Sequence, residues 1–228
     1  MFVELLQISI HQPQGKEILF YAFVGLLLFL GIIRQLFPKY FNDLFRLFFR
    51  TTLKQRHLSE QLTQTPLPSF LLNLFFFFSA GLYLSFWLER VQLNPFDSFW
   101  WLFLYAVIVL IVSYLIKFIS LQLLGWLFKA RDAAASYTFT VFTINKMVGL
   151  FLWPLLVLMA FSTEQVFVVA LALSWALLTG LLFYRIGLTY RVVRKQIRLS
   201  GFHFLLYVAG FEIAPLLVLY KLFLLSFS

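Results

Sequence analysis

The sequence predicts an all-α, polytopic membrane bundle, with six transmembrane helices and one amphipathic helix lying on the cytoplasmic surface. Three observations carry this. Of the 228 residues, 62% are hydrophobic and only 12% charged, and mean hydropathy is +0.92, whereas soluble domains carry about a quarter of their residues charged. Apolar runs repeatedly reach the ~20 residues a helix needs to cross ~30 Å of hydrocarbon. Runs such as FWWLFLYAVIVLIVSYLI are apolar on both parities, which excludes the alternating segments of a β-barrel.

The spans are expected at about residues 18 to 33, 66 to 88, 99 to 128, 138 to 161, 166 to 185 and 201 to 225, forming one integral membrane domain over 1 to 228. The N-terminal stretch MFVELLQISIHQPQGKE has neither a basic leader nor a small-residue cleavage signature, so the first span is expected to act as its own insertion signal. Lys and Arg are retained on the cytoplasmic side. Thirteen of them fall in residues 34 to 65, 129 to 137 and 185 to 200, against only Lys16 and Arg90 in the alternate connections. Both termini are therefore expected outside the cytoplasm.

From Pro38 to about residue 58, Phe41, Leu44, Phe45 and Phe48 recur at helical spacing, with Asp43, Arg46, Arg50 and Lys54 on another face. That is the pattern of an interfacial helix whose basic face attracts anionic lipid. Thr-Pro-Leu-Pro at 65 to 68 then ends it and opens span two. Asn94 and Pro95 mark the turn before span three, flanked by Trp87, Trp100 and Trp101 at the depth indoles prefer. Span three is long enough to tilt or to leave Trp126 in the interface. A basic stripe of Arg191, Arg194 and Arg198 reads as a solvated extension of span five.

Candidate functional residues are the few polar groups inside spans. Lys117 shares a face with Ser113 and Ser120, and Lys146 with Thr140 and Thr143. Glu212 lies near the middle of span six. Counted from the cytoplasmic end at 1.5 Å per residue, Lys117 and Glu212 lie about 16 Å deep, Lys146 about 12 Å and Asn73 about 10 Å. With Asn145 they compose a buried polar layer. An isolated charge at that depth costs roughly 2.5 kcal/mol or more, so Glu212 is expected to contact Lys146 or Lys117. Such a pair could serve as structural glue between helices. Two lysines against one glutamate also leave positive charge for an anionic ligand or a titrating group, and lysines can instead snorkel to the interface without meeting Glu212.

His203 and Tyr207 share a face of span six, and Glu212, nine residues beyond His203, lies about half a turn out of phase with it. His203 is thus an accessory residue and not one half of an acid–base pair. With no cysteine and three histidines in separate segments, neither a thiol site nor metal-ligand spacing exists. No phosphate-binding loop, nucleotide fingerprint or hydrolase elbow occurs, and no cofactor or nucleic acid is implied.

The strings FPKYFNDLFRLFF, LLGWLF, FTINKMVGLFLWPLL and FHFLLYVAGFEIAPLLVLYKL resemble the inner-membrane family of Bacteroidota called domain of unknown function 4271. The matching positions are Asn145, Lys146, Gly149, Pro154, His203, Glu212, Pro215, Tyr220 and Lys221. The resemblance implies a multi-pass protein of the bacterial inner (cytoplasmic) membrane and lends no catalytic role. The sequence reading is therefore a non-enzymatic subunit or accessory of a cell-envelope assembly, meeting membrane lipids and a membrane-protein partner. The alternative is a small transporter or lipid flippase handling an anionic amphiphile or protons.

Overall fold

The computed structural model describes residues 16–49, 62, 64–96, 98–127, 129 and 131–196, and the regular secondary structure among them is entirely helical. The elements are α1 (Lys16–Leu36), α2 (Pro38–Phe49), α3 (Pro66–Arg90), α4 (Phe99–Leu127), α5 (Arg131–Phe161) and α6 (Glu164–Gln196). All except α2 are long and apolar enough to cross a membrane, which identifies a multi-pass membrane protein. The sixth expected span, 201 to 225, and residues 50 to 58 of the expected interfacial helix lie outside the described residues.

Proline and turn chemistry place the boundaries. Phe37 N–H still bonds the Ile33 carbonyl at 2.9 Å, but Pro38 has no N–H to give, so α1 stops and α2 starts there. Pro66 opens α3, where its missing donor would be unpaired in any case. Between α3 and α4, Gln92 takes a left-handed φ of 58°, and Asn94 Oδ1 accepts the Phe96 N–H at 3.0 Å, side-chain chemistry that favours a turn. Helix α5 begins at Arg131 and α6 runs to Gln196, each beyond the apolar stretch that marks its span. Pro154 lies inside α5 and leaves the carbonyl one turn before it without the usual donor.

Helices α3 and α5 form the centre. In their most apolar windows 61% and 50% of residues are buried, against 11% in α1 and 17% in each of α4 and α6. The outer helices turn residues such as Leu28, Leu115, Ile116 and Phe183 outward, as helices facing lipid do. Helices in lipid associate through close packing and small residues, and two glycines supply the contact here. A Cβ on Gly149 of α5 would lie 2.8 Å from Phe76 Cα of α3, and one on Gly81 of α3 would collide with the Val107 side chain of α4.

The buried clusters give the register. Ile33, Tyr40, Leu44, Leu72 and Met147 pack together at the end that carries α2. Phe23, Tyr83, Phe86, Leu156, Met159 and Ala170 pack towards the other end. Residues 72 to 86 of α3 thus ascend beside 147 to 159 of α5, and the two central helices run parallel. Near the second end Arg90 of α3 forms an ion pair with Glu164 of α6 and lies 5.8 Å from the Phe167 ring centroid.

Candidate functional site

Lys146 is 2% exposed. Its Nζ donates to Ser69 Oγ of α3 at 2.7 Å and to the Tyr40 hydroxyl of α2 at 2.9 Å, and lies 5.5 Å from the Tyr40 ring centroid. Local geometry explains the arrangement. Because Gly149 meets Phe76 in parallel helices, the Lys146 backbone is level with Asn73, and the side chain leans one turn back, as helical side chains do, to reach Ser69 in the first turn of α3. It descends about 6 Å in doing so, in the manner of a snorkelling membrane lysine. Here the head ends under α2 instead of in water.

The bend at Phe37–Pro38 carries α2 across the foot of the bundle, burying Tyr40, Asp43 and Leu44. The sequence pattern had set Phe41, Leu44, Phe45 and Phe48 inward and Asp43 outward. In the structure Asp43 is 7% exposed and Phe41 and Phe45 are only partly buried. The helix is turned so that Tyr40 meets the ammonium, and Asp43, three residues on, shares that face. Asp43 Oδ1 lies 3.8 Å from Arg46 Nη1. Burial pushes the Tyr40 phenol above its ordinary range, opposed by its hydrogen bond with Ser69. At the far end of α2 the Tyr184 hydroxyl of α6 donates to the Phe48 carbonyl at 2.7 Å, and the Phe48 and Tyr184 rings lie 5.0 Å apart. Helix α2 is therefore fastened to the bundle at both ends.

The other residues singled out by sequence occupy different places. Lys117 of α4 is half-buried, its Nζ 5.7 Å from the Tyr137 ring centroid. Tyr137 precedes Lys146 on α5 by nine residues, about 13 Å along that helix. Asn145 is 3% exposed, and its Oδ1 accepts the Tyr114 hydroxyl at 3.2 Å. Asn73 is partly buried in α3. Glu212, His203 and Tyr207 lie outside the described residues.

The strings that led to the family resemblance thus hold the site: Tyr40 stands in FPKYFNDLFRLFF, while Asn145, Lys146, Gly149 and Pro154 stand in FTINKMVGLFLWPLL. The profile of the family described as Domain of unknown function (DUF4271) matches residues 19–223. The chain belongs to the DUF4271 family. No curated protein and no solved structure matches it.

Within this DUF4271 chain the sequence pattern left three contributors unmarked: Tyr40, Ser69 and Tyr184. Ser69 had a readable signal, since it precedes Asn73 by four residues and so shares its face of α3. A further polar contact joins α3 and α6, where Tyr83 and Ser174 hydroxyl oxygens lie 2.9 Å apart. Ser174 also donates to the Leu171 carbonyl at 2.6 Å, and a hydroxyl has one proton, so Tyr83 donates to Ser174.

A serine bonded to a buried lysine invites comparison with a nucleophile and its base. Acyl transfer also needs donors aimed at the developing oxyanion. Pro66 and Pro68 remove two of the amide donors from the first turn of α3, where Ser69 sits. Among the described residues no three His, Cys, Asp or Glu side chains group as metal ligands. The arrangement links α2, α3 and α5 through the Lys146 amine.

Proposed function

We propose that this protein is a non-enzymatic subunit or accessory of a cell-envelope assembly in the bacterial inner membrane, with α2 as a fastened surface element that a partner reads. One observation carries the reading: the buried Lys146 gives its hydrogen bonds to side chains of α2 and α3, Tyr40 and Ser69. Helix α2 presents Lys39 and Arg46 on its exposed side. It lies at the basic end of the bundle, beside the connections that hold most of the Lys and Arg residues. On this reading that end is cytoplasmic, α2 is an amphipathic helix among anionic headgroups, both termini are outside, and a sixth span carries Glu212 as the compensating charge of the polar layer.

A second reading, a small transporter or lipid flippase, draws on the groove of about 310 Å³ between α1, α3 and α4, lined by Ala22, Gly25, Leu74, Phe78, Trp100 and Phe103 among others. Such an apolar channel has room for an acyl chain. Purification from native membranes in mild detergent tests both. A stoichiometric protein partner that is lost when Lys39 and Arg46 are replaced by Ser supports the assembly reading. A tightly bound anionic lipid with no protein partner overturns it in favour of the second.

A further inference from the structure

Two amide groups in the middle of the bundle lack complements. Asn145 Nδ2 is a buried donor and Asn73 Oδ1 a buried acceptor, and neither has a hydrogen-bond partner among the described residues. A buried polar atom left unpaired costs about 1–3 kcal/mol. The close approach of α3 and α5 at Phe76 and Gly149 fixes where these side chains face. Asn73 is three residues before Phe76 and Asn145 four before Gly149. At 100° per residue these offsets, seen across two parallel helices, rotate both amides to the same side of the crossing. Lys146, three residues before Gly149, rotates to the opposite side, towards α2. The side shared by the asparagines is occupied by α4. Its Tyr114 ring lies 5.7 Å from both Phe76 and Phe77, and its hydroxyl bonds Asn145 Oδ1.

We propose that Asn73, Asn145 and Tyr114 bind a water molecule in the seam between α3, α4 and α5. The water accepts from Asn145 Nδ2 and donates to Asn73 Oδ1, with the Tyr114 oxygen beside it as a third polar neighbour, within the two to four bonds that buried waters make. The chemistry selects a neutral ligand. The inward Asn145 N–H disfavours a cation, and the Asn73 carbonyl disfavours an anion. The site is independent of the assembly reading above and holds for either function.

Radiolytic hydroxyl labelling after rapid mixing into oxygen-isotope-labelled water tests it on the full-length protein in detergent. A retained water exchanges slowly and delivers the original isotope to Tyr114, whereas bulk water delivers the new one. The expected result is original-isotope labelling of Tyr114 in the unsubstituted protein, falling to background in Asn145→Leu and in Asn73→Leu. Tyr83 labelling should be the same in all three. Tyr114 labelled only with the bulk isotope, or not labelled at all, overturns the proposal, because a dry seam or a direct amide–amide contact gives that result. The measurement on the unsubstituted protein decides the matter even where a variant fails to fold.

Discussion

Lys146 and Tyr40 stand 106 positions apart in sequence and 2.9 Å apart in space, and their contact ties α2 to the central helix α5. A hydrogen bond to a charged donor is worth about 1.5–3 kcal/mol. Tyr40→Phe should therefore lower unfolding free energy by about 1.5–3 kcal/mol, measured by denaturant unfolding in detergent. Lys146→Met removes the buried cation while keeping much of its volume, so the double variant should show little further loss. Simple additivity of the two changes would mean that the contact does not couple them.

The close approach of α3 and α5 gives a second test. In Gly149→Ala the new methyl would meet backbone, with Phe76 Cα at 2.8 Å and Phe76 N at 3.3 Å, and a backbone atom cannot rotate away. The helices must separate, at about 1–3 kcal/mol, and the melting temperature should drop. Gly25→Ala and Gly187→Ala meet nothing within 4 Å and should leave it unchanged or raised, since alanine favours helix. Equal effects at all three positions would remove Gly149 from the list of packing determinants.

The Tyr40 phenol sets an alkaline limit on stability. Burial raises its pKa above the ordinary 10.0, so above that pH the unfolded chain releases this proton while the folded protein keeps it. Folding then loses stability as pH rises from 10.0 through the folded value, and nothing is lost below. Tyr40→Phe should therefore lose less stability than the parent between neutral and strongly alkaline pH. Parallel stability–pH curves for the two proteins would contradict the assignment.

Much of this fold was legible because length and hydropathy set the spans almost alone. Pro38, Pro66 and the Asn94–Pro95 turn fell at helix boundaries. The start of α5 was less legible, because Arg131 and Asp132 begin a helix without being apolar, whereas the continuation of α6 through Arg191 and Arg194 was expected as an extension of span five. The site was harder still. Lys146 was visible as a charge inside a span, but its partners depend on how each helix is rotated about its axis, and hydropathy does not encode that. Helix α2 shows the reason. Its pattern was read as if lipid alone chose the buried face, whereas contact with Lys146 turns Tyr40 and Asp43 inward.

Topology is the next expected outcome. With thirteen basic residues in one set of connections and two in the other, the positive-inside rule places both termini outside the cytoplasm across six spans. Alkaline phosphatase fused after Ser228 should be active, and fused in the connection between α4 and α5 it should be silent. An inactive C-terminal fusion beside a fluorescent cytoplasmic reporter at the same position would reduce the spans to five.

The last expectation concerns Glu212 and its lysine partner. Lys146 reaches Tyr40 and Ser69, both neutral, so neither of those contacts supplies it with an anion. Glu212 is the one carboxylate of the expected sixth span. Removing one member of a buried ion pair costs about 3–5 kcal/mol, because the other is left uncompensated. Glu212→Ala should destabilise the protein by about that amount. Replacing its partner lysine by Met in the same chain should restore most of the loss. Because the two lysines lie on different helices, rescue by Lys146→Met and not by Lys117→Met identifies the partner, and the reverse pattern identifies the other. Rescue by neither, with Glu212→Ala as stable as the parent, would show that Glu212 is not the compensating charge.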